Sequence, residues 1–212
     1  SRENILKEKL HIQDGMNPDG MLILNGDDER LRSVIPEGGR KALFYGMGEN
    51  CQCRGQDLHL EHGYPVFTAV FKEERAQVRL KVMGVHMVSN ALAALAVAAV
   101  NGISLKQAAA GLEKFEGFKG RQQTFKLGGV TVIDDSYNAS PASMKAGLRV
   151  LWGASDANRR IAVLADMKEL GTGAFGFHRE IGAYIAAHPV DEVLLLGDLA
   201  AEIGRGLLGA GS

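Results

Sequence analysis

The sequence predicts an α/β fold in two domains, the second a Rossmann-like parallel sheet, on three observations. From Val130 onward, short aliphatic runs alternate with helix-period segments in the order strand, helix, strand, helix, strand, helix, the pattern of right-handed crossovers in a parallel sheet. Residues 130–151, VTVIDDSYNASPASMKAGLRVL, spell out one such unit. Val130, Val132 and Ile133 suit a buried strand, and Asp134 and Asp135 end it. Met144, Leu148 and Leu151 then recur at helical spacing behind Ser140 as cap and Pro141 in the first turn. The third observation is the stretch Glu116-Gly117-Phe118-Lys119-Gly120, which carries glycine and charge without periodicity. It reads as a hinge between domains at residues 1–118 and 119–212.

In chain order, residues 3–12 are charged, with Ile5, Leu6, Leu10 and Ile12 giving a loose helical stripe and Gly15 a stop. Residues 21–24 form an apolar strand ending in the polar turn Asn25-Gly26-Asp27-Asp28, where Gly26 and Asp28 read as turn chemistry. Residues 42–45 are a further strand. Residues 66–71 and 77–82 flank the charged turn Lys72-Glu73-Glu74-Arg75 as an antiparallel hairpin on the α/β core, with Val78, Leu80 and Val82 alternating against polar neighbours. Gly84 to Asn90 opens a helix, apolar on nearly every side through Val100 and expected to be buried. A second helix follows Ser104, whose spacing to Gln107 is that of a capping box, and runs to about Phe115. Beyond the hinge, strands at 161–164 and 192–196 bracket a helix with Phe177, Ile181, Tyr184 and Ile185 on one face, and a last helix starts at Ala200. No GxGxxG occurs, so dinucleotide binding has no support.

Composition narrows the function classes. The chain has 212 residues, 46% of them hydrophobic, enough for a substantial core. Its 24 Lys and Arg nearly balance 25 Asp and Glu, for a net charge of −1. That leaves no electrostatic case for nucleic acid or an anionic membrane, and small molecules are the expected partners. No charge-free apolar run reaches the roughly 18 residues of a spanning helix, and SRENILKEKL lacks a signal-peptide core. Cys51 and Cys53 stand without a second Cys/His pair, which is neither a disulfide framework nor a zinc site; reduced thiols in a cytoplasmic protein are expected. His59 and His62 add no defensible metal spacing.

The paired carboxylates and the six residues after them carry a resemblance. DDSYNASP closely resembles the DDSYNANP segment of the Mur ligases, in the branch that joins D-alanyl-D-alanine to UDP-N-acetylmuramoyl-tripeptide in peptidoglycan synthesis. Three further segments agree in the order that family requires: ENILKEKLHI, GVHMVSNALAALAVA, and VLADMKELG with His178 beyond it. The phosphate-cradling loop G-x-x-x-x-G-K-[ST] does not occur in the chain. The resemblance therefore implies the second part of a central ATPase domain followed by most of a Rossmann-like carboxyl-terminal domain, the end reading as a truncation. Alone, such a chain is expected to be inactive, and a monomer.

The resemblance also implies roles for individual residues, with ATP and Mg²⁺ as cofactors. Lys9 matches the family lysine that becomes carbamylated. A carbamate supplies an oxygen to Mg²⁺ that an ammonium cannot. His86 and Asn90 fall on the GxHxxxN pattern, where the asparagine amide offers adenine a donor and an acceptor together. Arg121 matches the arginine that follows the hinge and reaches the nucleotide on closure. Asp135 resembles the aspartate that accepts from the ribose hydroxyls, with Asp134 and Tyr137 on the same turn and Asn138 and Ser140 near nucleotide or acceptor. Asp166, Glu169 and His178 belong to the acceptor side, the carboxylates to orient an incoming ammonium and the histidine to take a proton. Two alternatives stay open at this level: another Mur-type or folylpolyglutamate-type ligase, and a non-catalytic nucleotide-binding module.

Overall fold

A computed structural model describes residues 2–154 and 157–210 and divides the chain into two compact units. The first runs to Lys81 and resumes at Val85–Phe115; the second takes Val82–Gly84 and everything from Glu116 on.

The first unit opens with α1 (Arg2–Leu10) and a 3-10 turn (His11–Gly15), followed by β1 (Met21–Asn25), α2 (Glu29–Arg32) and β2 (Lys41–Gly46). The expected apolar stripe does not bury: Ile5 is 61% and Ile12 66% exposed. The buried residue of this segment is Gln13, whose side-chain carbonyl accepts from the Glu37 N–H at 2.9 Å. Asp28 caps α2, accepting from Arg30 and Leu31 N–H groups, as turn chemistry requires.

β3 (Cys53–Glu61), which local sequence pattern does not predict, pairs in parallel with β2 and antiparallel with β4 (Tyr64–Phe71). β5 (Glu74–Arg79) closes an antiparallel hairpin on β4, and the full sheet runs β1-β2-β3-β4-β5. The turn is tighter than expected, confined to Lys72 and Glu73, with Lys72 at φ 54°.

α3 (His86–Val100) lies on this sheet and α4 (Leu105–Leu112) follows. α3 buries one face, not all: Val88, Ala91, Leu92, Leu95 and Ala96 are inside, while Val97 is 48% exposed. Alanines at six of its fifteen positions look uniformly apolar in sequence, so the larger residues select the face. Phe67, Leu92 and Leu95 are essentially inaccessible, each contributing about 1.5–3 kcal/mol of transfer free energy. Ser104 caps α4 by accepting from the Gln107 N–H at 3.3 Å, but the helix stops at Leu112, short of Phe115.

In the second unit, β6 (Gln123–Leu127) and β7 (Val130–Asp134) form an antiparallel hairpin. β6 has no counterpart among the predicted strands, and β7 is not buried as its β-branched run suggests: Val130 is 62% exposed. Then come α5 (Pro141–Trp152), β8 (Ile161–Ala165), a 3-10 turn (Gly171–Gly173), α6 (Ala174–Ala187), β9 (Glu192–Leu196) and α7 (Ala201–Gly209). β8 and β9 pair in parallel, so the strand–helix alternation gives the expected crossover there. The core gathers Leu148, Ala162, Met167, Ile181, Ile185, Ala200 and Ile203. α6 turns one residue from expectation: His178, not Phe177, stands on the buried face with Ile181 and Ile185. α6 and α7 meet through glycines, since a Cβ on Gly182 would lie 2.1 Å from the Ile203 carbonyl.

Candidate functional site

The turn after β7 collects polar groups at the carboxyl end of a strand, ahead of a capped helix. Ser140 begins α5, its Oγ accepting from the Ser143 N–H at 3.2 Å while its own N–H donates to Ser143 Oγ at 2.9 Å. Asp134 accepts from the Ser136 N–H at 3.1 Å. Hydrogen bonds from the Ser136 side chain and then its backbone, with the Lys119 charge adding, hold the Asp134 carboxyl below the usual carboxylate range. Asp134 is thus occupied with shaping the turn.

Asp135 is held differently. It is half-buried, its Oδ2 accepts from Gln122 Nε2 at 3.3 Å, and a Cβ on Gly147 of α5 would come within 3.3 Å of the same oxygen. The carboxylate rests against a glycine, and among the described residues the hydrogen bond from Gln122 is the one shown for it, so acceptor positions remain. Asn138 is exposed and uses its Oδ1 on the Ala139 N–H at 2.8 Å. Arg121 and Tyr137 are both exposed, and the guanidinium stands 4.2 Å from the ring centroid. The Tyr137 N–H donates to the Gly120 carbonyl at 2.9 Å, which ties the end of the 116–120 stretch to this turn. Gly120 has φ 73° and would place a Cβ 3.3 Å from the Tyr137 backbone nitrogen, so a side chain there would be strained.

The loop after β8 has the opposite character. His178 is inaccessible to solvent; its Nδ1 donates to the Ala174 carbonyl at 2.7 Å and its Nε2 accepts from the Met167 N–H at 2.9 Å. Carbonyl and amide partners fix the neutral Nδ1–H tautomer and leave no ring nitrogen for a substrate. Asp166 accepts from the Ala200 N–H at 2.7 Å, and Gly197, at φ 116°, leaves room where a Cβ would overlap that carboxylate. Glu169 is exposed and takes a left-handed backbone, φ 61°.

On the first unit, Lys9 stands exposed in the last turn of α1. Among the described residues no group of three or more His, Cys, Asp or Glu side chains is placed to hold a metal ion. His86 is half-buried and Asn90 exposed at the start of α3, where Asn90 Nδ2 lies 3.7 Å from Met87 Sδ. The intervening Ser89 hydrogen-bonds the phenol of Tyr45, whose pKa burial raises, the Ser89 bond opposing and the Asp27 charge adding.

Asp27, unassigned from sequence, latches the end of β2 by accepting from the Met47 N–H at 2.8 Å and the Gly48 N–H at 2.9 Å. The NGDD turn marks a strand end in the sequence, but nothing local shows which backbone its first carboxylate binds. The cysteines are free and buried, and burial, with the Cys51 charge adding, pushes the Cys53 thiol up to about 11, an inert state.

Two family models match in order: the Mur ligase middle domain over residues 1–98 and the Mur ligase glutamate ligase domain over residues 120–211. The UDP-N-acetylmuramoyl-tripeptide–D-alanyl-D-alanine ligase of Bacillus subtilis is 35% identical over 209 residues, covering 98% of this chain and 45% of the relative. The Escherichia coli protein of the same name is 32% identical over 202 residues, covering 93% and 44%. A crystal structure of MurF from Acinetobacter baumannii superposes with TM-score 0.88 at 29% identity, covering 97% of this chain and 45% of that one. The chain thus spans less than half the length of the curated relatives it matches.

Proposed function

The chain belongs to the Mur ligase family, and we propose that it forms part of the ATP-dependent ligase that joins D-alanyl-D-alanine to UDP-N-acetylmuramoyl-tripeptide. The observation that carries this reading is its match, through nearly the whole chain, to ligases named for that reaction. In the proposed reaction the tripeptide carboxylate attacks the γ-phosphate of ATP, giving an acyl phosphate and ADP. The dipeptide amine then adds to the acyl carbon and phosphate leaves. Catalysis of such a step rests on positioning and on charge stabilisation rather than on a protein nucleophile.

The candidate residues divide by what their hydrogen bonds leave open. We assign Asp135, with open acceptor positions, to the ribose; exposed Asn90 with neighbouring His86 to the adenine edge; and exposed Arg121, parked on Tyr137, to phosphate. Asn138 is assigned to the nucleotide side and Glu169 to the acceptor side, both being exposed. His178 and Asp166, whose partners lie within the fold, position the acceptor loop instead of handling the proton or the ammonium directly. Lys9, with its exposed amine, is the group we assign to carbamylation. The carbamate would offer Mg²⁺ an oxygen ligand.

Phosphate release by the full-length protein tests the reading. It would be given ATP and UDP-N-acetylmuramoyl-tripeptide with D-alanyl-D-alanine, diaminopimelate, lysine or glutamate in separate reactions, each product being identified by mass. Release with the dipeptide alone is expected. Release with another amine alone would retain the ligase and refute the acceptor.

A further inference from the structure

We propose that Gln122 is a second hydroxyl-recognising group beside Asp135, so that the two side chains together receive the vicinal hydroxyls of a ribonucleotide. The inference rests on the reading of Asp135 as the ribose acceptor. Gln122 is 8% exposed, and its Nε2 donates to Asp135 Oδ2 at 3.3 Å. A carboxylate only accepts, so that bond fixes which end of the amide is which. The end left over is Oε1, a buried carbonyl oxygen with no hydrogen-bond partner among the described residues.

A buried acceptor without a donor is disfavoured, and native folds keep few of them. What Oε1 lacks is an O–H or N–H, which identifies the chemistry of the missing partner. Gln122 also holds a left-handed backbone at φ 53°, uncommon for a residue with a Cβ. Next to Oε1 stands a second acceptor with open positions, the half-buried Asp135 carboxylate, while the neighbouring Asp134 is already engaged by Ser136. Two adjacent acceptors suit two adjacent donors, and a ribose carries them on neighbouring carbons. Gln122 therefore serves twice: its amide nitrogen sets the Asp135 carboxylate, and its carbonyl takes one hydroxyl.

The test is calorimetric binding of ADP, 2′-deoxy-ADP and 3′-deoxy-ADP to the full-length protein, as wild type, Gln122→Met and Asp135→Asn. Gln122→Met keeps the volume and removes both the acceptor and the donor to Asp135. It is expected to weaken ADP about tenfold more, the worth of one hydrogen bond, than it weakens whichever deoxynucleotide lacks the hydroxyl that Gln122 receives. Equal weakening of all three nucleotides would overturn the proposal and leave Gln122 a structural residue with a bound water only. If Asp135→Asn weakens ADP and Gln122→Met does not, the inference alone fails; if Asp135→Asn has no effect, the ribose reading fails with it. Should Gln122→Met fail to fold, wild-type binding of the 2′-fluoro and 3′-fluoro analogues decides. Fluorine accepts but does not donate, so both should bind as weakly as the deoxynucleotides, and binding equal to ADP refutes a need for the O–H.

Discussion

The Asp134–Ser140 turn and the Asp166–His178 loop each hold a conspicuous set of polar side chains after a strand of the same unit, yet they dispose of them in opposite ways. In the loop, His178 is sealed from solvent with both nitrogens engaged by backbone, and Asp166 secures the Ala200 amide. In the turn, Asp134 and Ser140 are engaged locally, but Asp135 keeps acceptor positions open and Arg121 and Tyr137 face solvent. Residue type alone does not separate scaffold from ligand site; the hydrogen bonds left unmade do. The loop's polar groups are the fold's own, and the turn's are partly available to something else.

The most severe way to break the comparison is at the helix pair that holds the loop. Gly182→Ala would set a Cβ 2.1 Å from the Ile203 carbonyl, against backbone that has no rotamer to yield. It should cost about 3 kcal/mol, seen as a large fall in the denaturant midpoint. His178→Ala comes next, losing buried packing and leaving the Met167 N–H without its acceptor; about 2–3 kcal/mol is expected by the same measurement. Asp166→Asn, which weakens the bond to the Ala200 N–H, should cost about 1 kcal/mol.

An acid titration sharpens the contrast without mutating the loop. The Arg179 hydrogen bond, with the Arg179 and Arg205 charges adding, holds Glu202 below the usual carboxylate range, as Ser136 does for Asp134. A carboxyl depressed on folding contributes stability that is complete above its unfolded value, near pH 4, and is lost as pH falls through the folded one. Both groups should therefore leave stability flat from neutrality to about pH 4 and steepen its loss below that, and Glu202→Gln and Asp134→Asn should each flatten the acid limb. The smallest stability effect belongs to Asp135→Asn, expected within about 0.5 kcal/mol of wild type. The same change should raise the KM for ATP in the full-length enzyme about tenfold or more, and unchanged ATP kinetics would remove its assigned role.

Local pattern carries much of the fold. The buried alternation of Val78, Leu80 and Val82, the Ser104 and Ser140 caps, and the strand–helix order after Val130 are legible, because each depends on neighbours in sequence, although β5 ends at Arg79, before Leu80. β3 and β6 are less so, since Gly55, Asp57 and His59 interrupt any period in the one and the other is only five residues long, QTFKL; both are fixed by hairpin pairing, β3 with β4 and β6 with β7 across Gly128-Gly129. The same divide runs through the site. DDSYNASP announces its turn, but which of its two aspartates stays open depends on Gln122 and Gly147. The face on which His178 points is set by α6 packing, one residue away from the apolar positions that suggest otherwise. Asp27 and Gln122 give no signal, one because its partners lie across the sheet and the other because a positive φ leaves no mark in the sequence.

The most direct test of the contrast is one thermal-shift series: the melting temperature of the full-length protein with and without saturating ADP, for wild type, Asp135→Asn and Asp166→Asn. A ligand that binds only the folded state stabilises it by RT ln(1 + [L]/Kd), so at a fixed ligand concentration the melting-temperature shift falls as the affinity falls. The account predicts that Asp135→Asn melts with wild type but shows a smaller ADP shift, whereas Asp166→Asn melts lower and keeps the full shift. The reverse pattern, an unstable Asp135→Asn with the full wild-type ADP shift and a stable Asp166→Asn with a reduced one, would contradict it.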